Sequence, residues 1–193
     1  MVLASRNRGK ISEMHQMLNP LGIELQTALD YPQLADIKET GSTLKENALI
    51  KARTAFYITG HPSLADDSGL EVDALDGRPG VHSARYAGPG ADDIKNIDKL
   101  LEELSLCRGP ENRKARFRTV LAYVDSEGSR IFEGRCEGHI ASVGKGRSGF
   151  GYDPVFVPDG HAITFAEMDA EEKNRISHRG QAMAAFREFI RGI

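Results

Sequence analysis

The chain lacks tryptophan and has no excess of positive charge. Its 193 residues include no Trp and give a formal net charge of −3, with a pI near 6.1. Modules that bind single-stranded nucleic acid combine a basic groove with aromatic side chains that stack on bases. The composition therefore argues against a dedicated nucleic-acid-binding protein.

Cysteines and long apolar runs are also scarce. Cys107 and Cys136 lie far apart and show neither a CxxC spacing nor a Cys/His pattern typical of zinc sites. We expect both to be buried thiols in a reducing compartment. No apolar run approaches membrane-spanning length, and residues 1–4 are too short for a signal peptide. These features predict a cytoplasmic globular protein with no membrane association.

The periodicity predicts a single α/β domain over residues 1–193, built as two lobes that are not independent domains. Residues 1–5 and 23–27 and the pair 115–124 and 130–140, with a turn at 125–128, have strand-like patterns. Helical spacing predicts helices over 10–18, 42–59 and 92–104, and a last helix with Met183, Phe186, Ile190 and Ile193 on its apolar face.

Adjacent acids at Asp66 and Asp67 are the first pattern with chemical meaning. Residues 61–65 resemble a short buried strand, so we expect the acids at its end and a turn at Gly69. The strand expected after this turn, with Leu70 and Val72, alternates apolar and acidic residues as an exposed strand does. Carboxylates at a sheet edge bind divalent metals or accept a proton from water. A solvated Asp-Asp-Ser-Gly turn is the alternative, and the motif alone does not decide.

Two further segments carry charges that suit a phosphate and a metal. The junction of the first strand and helix has three cations near backbone N–H groups, which indicates an anion site, although a capped helix with solvated arginines is the alternative. On the second helix Lys51 shares a face with Asn47, and Glu46 fits a capping box. Glu39 has no evident structural role and is the candidate second metal ligand.

The last two segments have residues that suit a flat base and its polar groups. An aromatic pair surrounds a glycine at Phe150 to Tyr152, and Asp153 can accept a hydrogen bond from a ring N–H. A hydrophobic turn is the alternative. Lys173 precedes Ser177, His178 and Arg179, a cluster of donors for a keto group or phosphate, or else an ordinary surface helix start.

Together these segments resemble the inosine-triphosphate pyrophosphatase family, which removes deaminated purine nucleotides. The resemblance is carried, in order, by SRNRGK, ETGSTLKENALIKA, ADDSGLEVDAL, GRPGVHSARYAG, SGFGYDPVF and EEKNRISHRGQA. It implies an elongated mixed β-sheet with flanking helices and two lobes around a central nucleotide-binding cleft. It also implies a homodimer, Mg²⁺ as cofactor, and hydrolysis of dITP, ITP or XTP at the α–β bond to a monophosphate and pyrophosphate.

The resemblance also assigns residues. Asp67 matches the catalytic, metal-binding acid, and Glu39 lies at or beside the second metal ligand. Keto-group recognition by His178 and Arg179 would reject adenosine, whose 6-amino group is a donor. Arg6 stands where the family usually has glycine, and Arg147-Ser148 where Thr-Gly is usual. The implied substrate-binding residues are Ser5, Arg6, Asn7, Arg8, Gly9, Lys10, Lys51, Ser68, Phe150, Gly151, Tyr152, Asp153, Lys173, His178 and Arg179.

Two other activities fit parts of the sequence. A septum-associated nucleotide pyrophosphatase of related fold would act on modified pyrimidine triphosphates, but its motifs differ from these. A nucleotide-binding sensor without catalysis would keep the Gly and Lys loops but would not need Asp67 or Glu39.

Overall fold

The computed structural model describes residues 1–35, 37–90 and 92–192 and contains one mixed sheet. Its strands follow the order β2-β1-β3-β4-β5-β6, with β1 parallel to β2 and β3 and with β5 antiparallel to β6. The predicted α/β fold with a mixed sheet and flanking helices is therefore confirmed. The strands are β1 (Val2–Leu3), β2 (Gln26–Thr27), β3 (Ser63–Val72), β4 (Lys114–Asp125), β5 (Gly128–Ile140) and β6 (Phe156–Pro158).

Five α-helices are found in the described residues, and their ends follow local sequence signals. They are α1 (Arg8–Leu18), α2 (Leu44–Thr59), α3 (Asp93–Glu103), α4 (Ala170–Ile176) and α5 (His178–Arg191). The capping box predicted for α2 is confirmed, because Thr43 accepts from the Glu46 N–H and Glu46 accepts from the Thr43 N–H. On α5, Met183 and Phe186 are fully buried, whereas Ile193 lies outside the described residues.

The turn predicted after Asp67 is wrong, because β3 continues without a break from Ser63 to Val72. Gly69 is required for a different reason: a Cβ there would overlap the backbone oxygen of Gly80. The expectation of an exposed strand here is also wrong, since Leu70 and Val72 are fully buried and Glu71 between them is half-buried. Charged residues can occupy the middle of this strand because cations balance them, as described below.

The chain forms two compact units, each assembled from separated segments. Unit 1 comprises residues 1–67, 119–134 and 179–193, and unit 2 comprises residues 68–118 and 135–178. The core of unit 1 includes Leu3, Met14, Leu18, Leu64, Leu121, Met183 and Phe186. The core of unit 2 includes Leu70, Val72, Leu100, Leu104, Phe117, Phe156 and Phe165.

The cysteines and the helix lengths bear on two predictions made from the sequence. Cys136 is buried as expected, Cys107 is half-buried, and both are free thiols. Burial raises the pKa of Cys136 to about 12, so its reactive thiolate is rare at neutral pH. None of the helices in the described part of the chain is long and apolar enough to cross a bilayer.

Candidate active site

In unit 1, two carboxylates meet at one ammonium group. Lys51 Nζ donates to Asp67 Oδ1 at 2.7 Å and to Glu39 Oε1 at 3.0 Å. Asn47, one turn before Lys51 on α2, accepts the Gly41 N–H at 2.8 Å and so holds the loop that carries Glu39. A strand, a helix and a loop therefore bring together the acids that the sequence pattern proposed as metal ligands.

Burial and neighbouring charges together leave the pKa values of both Lys51 and Asp67 above their ordinary values. Burial raises the pKa of Asp67 above its ordinary value, although the ammonium groups of Lys51 and Lys10 oppose the change. Burial alone would lower the pKa of Lys51, but the nearby carboxylates, led by Asp67, raise it above its ordinary value. Lys51 therefore stays charged, and Asp67 is a stronger proton acceptor than an ordinary aspartate.

The neighbouring acid, Asp66, is fully buried and is held by two cations. Lys10 Nζ lies 3.1 Å from Asp66 Oδ2. Arg179 donates to the same oxygen through Nη2 at 3.2 Å and Nε at 3.3 Å. The third nitrogen, Nη1, donates to Glu13 at 2.5 Å. These ion pairs form a charge cluster in unit 1. Its members are Lys10, Glu13, Glu39, Lys51, Asp66, Asp67 and Arg179.

The charges within this cluster act on one another. Burial lowers the pKa of Lys10, and Asp66 opposes that change. Burial would also lower the pKa of Arg179, but Asp66 and Glu13 raise it above its ordinary value. Glu13 follows Lys10 by three residues on α1, so the two side chains lie on the same helical face.

The first loop lies at the start of α1. Asn7 is the N-cap and accepts the Lys10 N–H at 3.0 Å, while Ser5 Oγ accepts the Asn7 N–H at 3.3 Å. Arg8, Gly9 and Lys10 form the first helical turn, where backbone N–H groups point out of the helix end. Arg6 is exposed and donates to the Ala35 carbonyl at 3.4 Å. The cap expected in the alternative interpretation is thus present, and it is compatible with an anion site.

In unit 2, the Phe150–Asp153 loop is closed by a buried ion pair. Lys173 Nζ lies 2.5 Å from Asp153 Oδ2, with side-chain exposures of 6% and 4%. The same Asp153 oxygen accepts the Phe150 N–H at 2.8 Å. Lys173 Nζ also lies 5.1 Å from the centre of the Phe150 ring. Lys173 is therefore a buried residue of this loop, and the surface-helix alternative is wrong for it.

Two more hydrogen bonds fix the same loop from other parts of unit 2. The Gly151 N–H donates to Asp93 at 2.7 Å, and the Tyr152 hydroxyl donates to the Ser83 carbonyl at 2.9 Å. Ser83 Oγ also accepts the Leu70 N–H on β3 at 2.9 Å. Ser68, half-buried, begins the part of β3 that belongs to this unit.

Ser177, His178 and Arg179, which the sequence pattern treated as one cluster of donors, belong to different units. His178 is buried in unit 2, with its ring stacked on Phe117. Ser177 is also buried there, as the C-cap of α4. Arg179 belongs to unit 1 and binds Asp66 and Glu13, as described above.

The donor set of unit 1 suits a magnesium ion. No group of three or more His, Cys, Asp or Glu with metal-binding geometry occurs among residues 1–35, 37–90 and 92–192. Mg²⁺ is usually held by one or two carboxylates, with phosphate oxygens and water completing its coordination. Asp67 and Glu39 supply such a pair, since both carboxylates contact the same ammonium group.

Comparison with known proteins identifies the family. The model of the Ham1 family matches residues 1–189. The chain belongs to the Ham1 family. It is 50% identical over 200 residues to a dITP/XTP pyrophosphatase of Methylococcus capsulatus, covering 100% of this chain and 96% of the relative.

Two further Ham1-like relatives agree with this assignment. A dITP/XTP pyrophosphatase of Halalkalibacterium halodurans is 49% identical over 183 residues, which is 94% of each chain. The structure of a HAM1 protein from Coxiella burnetii superimposes with a TM-score of 0.89 at 45% identity, covering 100% of this chain and 98% of that one. The resemblance inferred from the ordered motifs is therefore confirmed.

Several residues of this Ham1 chain contact the candidate site but were missed by the sequence patterns. Glu13 could have been found from its spacing to Lys10, because residues three apart share a helical face. Asp93, Ser83 and Phe117 are distant in sequence from the residues they hold, and no local pattern marks them. Their contacts with Gly151, Tyr152 and His178 depend on the tertiary fold.

Proposed function

We propose that this chain hydrolyses non-standard purine nucleoside triphosphates, such as dITP, ITP and XTP, to a nucleoside monophosphate and pyrophosphate. The charge cluster of unit 1 would take the triphosphate, and the Phe150–Asp153 loop with Lys173 and His178 would take the base. Membership of the Ham1 family and the similarity to two dITP/XTP pyrophosphatases support this assignment. The bond cut and the residue roles are part of the proposal.

Asp67 is the proposed general base. It would accept a proton from a water molecule whose oxygen attacks the α-phosphorus, while the bond to the β-phosphate breaks and pyrophosphate leaves with the electron pair. The upward shift of its pKa by burial supports this role, because a base works best when its pKa approaches the working pH. Lys51, bonded to Asp67 at 2.7 Å, would fix the orientation of the carboxylate.

Asp67 and Glu39 are the proposed holders of Mg²⁺, which when bound would neutralise charge on the phosphate oxygens. Cations on the protein would neutralise the rest of the triphosphate. Lys10 and Lys51 of unit 1 would do so, and the backbone N–H groups in the first turn of α1 would add to their effect. Ser5, Arg6, Asn7 and Arg8 remain the proposed triphosphate-binding loop, with Gly9 as part of the helix start.

Base selectivity is proposed to depend on donors that match a 6-keto oxygen. His178 and Lys173 are buried donors of unit 2, and a buried donor that faces an amino group loses a hydrogen bond. Phe150 would stack on the base, and Asp153 would accept from a ring N–H. Arg179 was proposed for the same task, but its observed partners favour a second role, the support of Asp66.

The single observation that carries the proposal is the contact of Asp67 and Glu39 with one lysine ammonium. It is tested by incubating the protein with ITP, dITP, XTP, GTP and ATP in ¹⁸O-labelled water, with and without Mg²⁺. We expect pyrophosphate release that needs Mg²⁺ and favours the first three nucleotides over ATP, with the label in the monophosphate. GTP shares the 6-keto oxygen, so its rate measures any selection at the 2-position of the base. Free phosphate with a nucleoside diphosphate, or the label in pyrophosphate, would contradict the assignment.

We also propose a homodimer, which the family resemblance implies, and a cytoplasmic location, which the composition predicts. The free thiols of Cys107 and Cys136 support a reducing compartment. Sedimentation equilibrium of the purified chain measures the oligomeric state directly. A mass of one chain, 21.1 kDa, at micromolar concentration would exclude a stable dimer.

A further inference from the structure

Three buried phenylalanines of unit 2 form an aromatic cluster beneath the proposed base-binding donors. Phe117 on β4 packs against Phe156 on β6, with ring centroids 4.7 Å apart, and against Phe165 at 6.1 Å. Phe156 and Phe165 also contact each other at 5.1 Å. Exposure is 8% for Phe117 and 0% for the other two, so the cluster is a closed part of the core.

Two members of the cluster each contact one donor. The ring of Phe117 is stacked on the imidazole of His178, with centroids 4.5 Å apart and planes 9° from parallel. Phe165 lies under the ammonium group of Lys173, whose Nζ is 5.6 Å from the ring centre. Phe156 packs on both phenylalanines, and within the described part of the chain its aromatic partners are those two rings.

We infer that Phe117 is a specificity-determining positioning residue, which fixes the plane of the His178 ring and thereby the direction of its donor toward the 6-position of the base. The inference rests on the proposed function, since it assumes that His178 reads the base. Phe117 itself would touch neither the base nor the phosphates. Its effect on selectivity would pass through His178, the donor on which its ring is stacked.

The physical reason is that a hydrogen bond depends steeply on direction. The imidazole donors lie in the plane of the ring, and the interaction weakens rapidly once the donor angle departs from linearity. A face-to-face neighbour prevents rotation of the imidazole about its long axis, which chain connectivity alone does not prevent. An aliphatic side chain at 117 would fill part of the volume but would let the ring tilt.

Phe156 provides the matched control. Phe117→Leu and Phe156→Leu each remove one phenyl ring from the same cluster. They should lower stability by similar amounts, because both side chains are buried and both pack on Phe165. Only the first substitution removes the surface on which His178 lies. A change that reflects general loosening of the core would therefore occur in both variants.

The activity test compares kcat/KM for ITP and for ATP in the wild type and both variants. We expect Phe117→Leu to lower the ITP/ATP ratio about tenfold, mainly through KM for ITP, and Phe156→Leu to change it by less than about twofold. An unchanged ratio in Phe117→Leu, or an equal change in both variants, would overturn the proposal.

A second measurement does not depend on the folding of the Phe117→Leu or Phe156→Leu variant. A ring stacked on Phe117 feels its ring current, so the His178 ring protons should resonate upfield of those of the other histidines among the six in the chain. His178→Gln assigns the signals. His178 signals at the positions of solvent-exposed imidazoles would overturn the stack and the proposal with it.

These measurements separate the two hypotheses. A wild-type protein without preference for ITP over ATP would overturn both the proposed function and the specificity role, while upfield His178 signals would still be observed. A wild-type protein that prefers ITP, together with a Phe117→Leu variant of equal preference, would overturn the role of Phe117 and leave the proposed function standing.

Discussion

The two units hold their functional side chains by different means. In unit 1, acids and cations balance one another: Asp67 and Glu39 share Lys51, and Asp66 binds Lys10 and Arg179. In unit 2, one ion pair, Lys173 with Asp153, is combined with stacked rings and backbone hydrogen bonds. Charge dominates the first arrangement, and the direction of donors and rings dominates the second.

This difference predicts different kinetic signatures. A triphosphate is the same in every nucleotide, so a change in the charge cluster of unit 1 should affect all substrates alike. A purine base differs from one nucleotide to another, so a change in unit 2 should affect them unequally. The ratio of kcat/KM for ITP and ATP should therefore stay constant when unit 1 is changed and should change when unit 2 is changed.

The largest effect is expected for Asp67→Asn. Removal of the proposed general base, with its shape retained, should lower kcat about 10³-fold for ITP, dITP and ATP alike. Steady-state kinetics with saturating Mg²⁺ measures this, and Asp98→Asn, the same change on an exposed residue of α3, is the control. Near-wild-type turnover of Asp67→Asn would exclude it as the base, and unequal losses would contradict the division between units.

Sequence patterns predicted unit 1 better than unit 2, for a physical reason. Lys51, Asn47 and Glu46 lie on one capped helix, and helical spacing reports which residues share a face. The error at Gly69 arose because glycine marks both turns and close backbone approaches, and only the tertiary fold brings the Gly80 oxygen to this strand.

The residues of unit 2 that hold His178 and the Phe150–Asp153 loop in place could not be predicted in the same way. Phe117 lies in a strand, 61 positions before His178 along the chain, and Asp93 reaches Gly151 across 58 positions. Such pairs depend on strand register and loop path, which local periodicity does not encode. Arg179 is a related case, since its neighbour His178 suggested a shared task and the fold gives the two side chains different partners.

A smaller but more selective effect is expected for Asp153→Asn. The change leaves the buried ammonium of Lys173 without its counter-charge, which should lower the free energy of unfolding by about 3 kcal/mol. Because the loop that carries Phe150 is held by the same oxygen, KM for ITP should rise more than KM for ATP. Urea unfolding and kinetics of Asp153→Asn, beside exposed Asp159→Asn as control, measure both quantities. Equal rises in KM for the two nucleotides would place the loop outside base selection.

The smallest effect is expected for Tyr152→Phe, which removes one hydroxyl and keeps the ring. Its bond to the Ser83 carbonyl is buried, so the loss should cost about 1 kcal/mol of stability. Burial also raises the pKa of Tyr152 far above its ordinary value, so the hydroxyl remains a donor throughout the accessible pH range. If this bond fixes the loop, KM for ITP should rise about 3-fold, with kcat unchanged. Tyr57→Phe, at a side chain that is 90% exposed, is the control. A fall in kcat for all nucleotides in Tyr152→Phe would show that the Phe150–Asp153 loop and the charge cluster of unit 1 do not act separately.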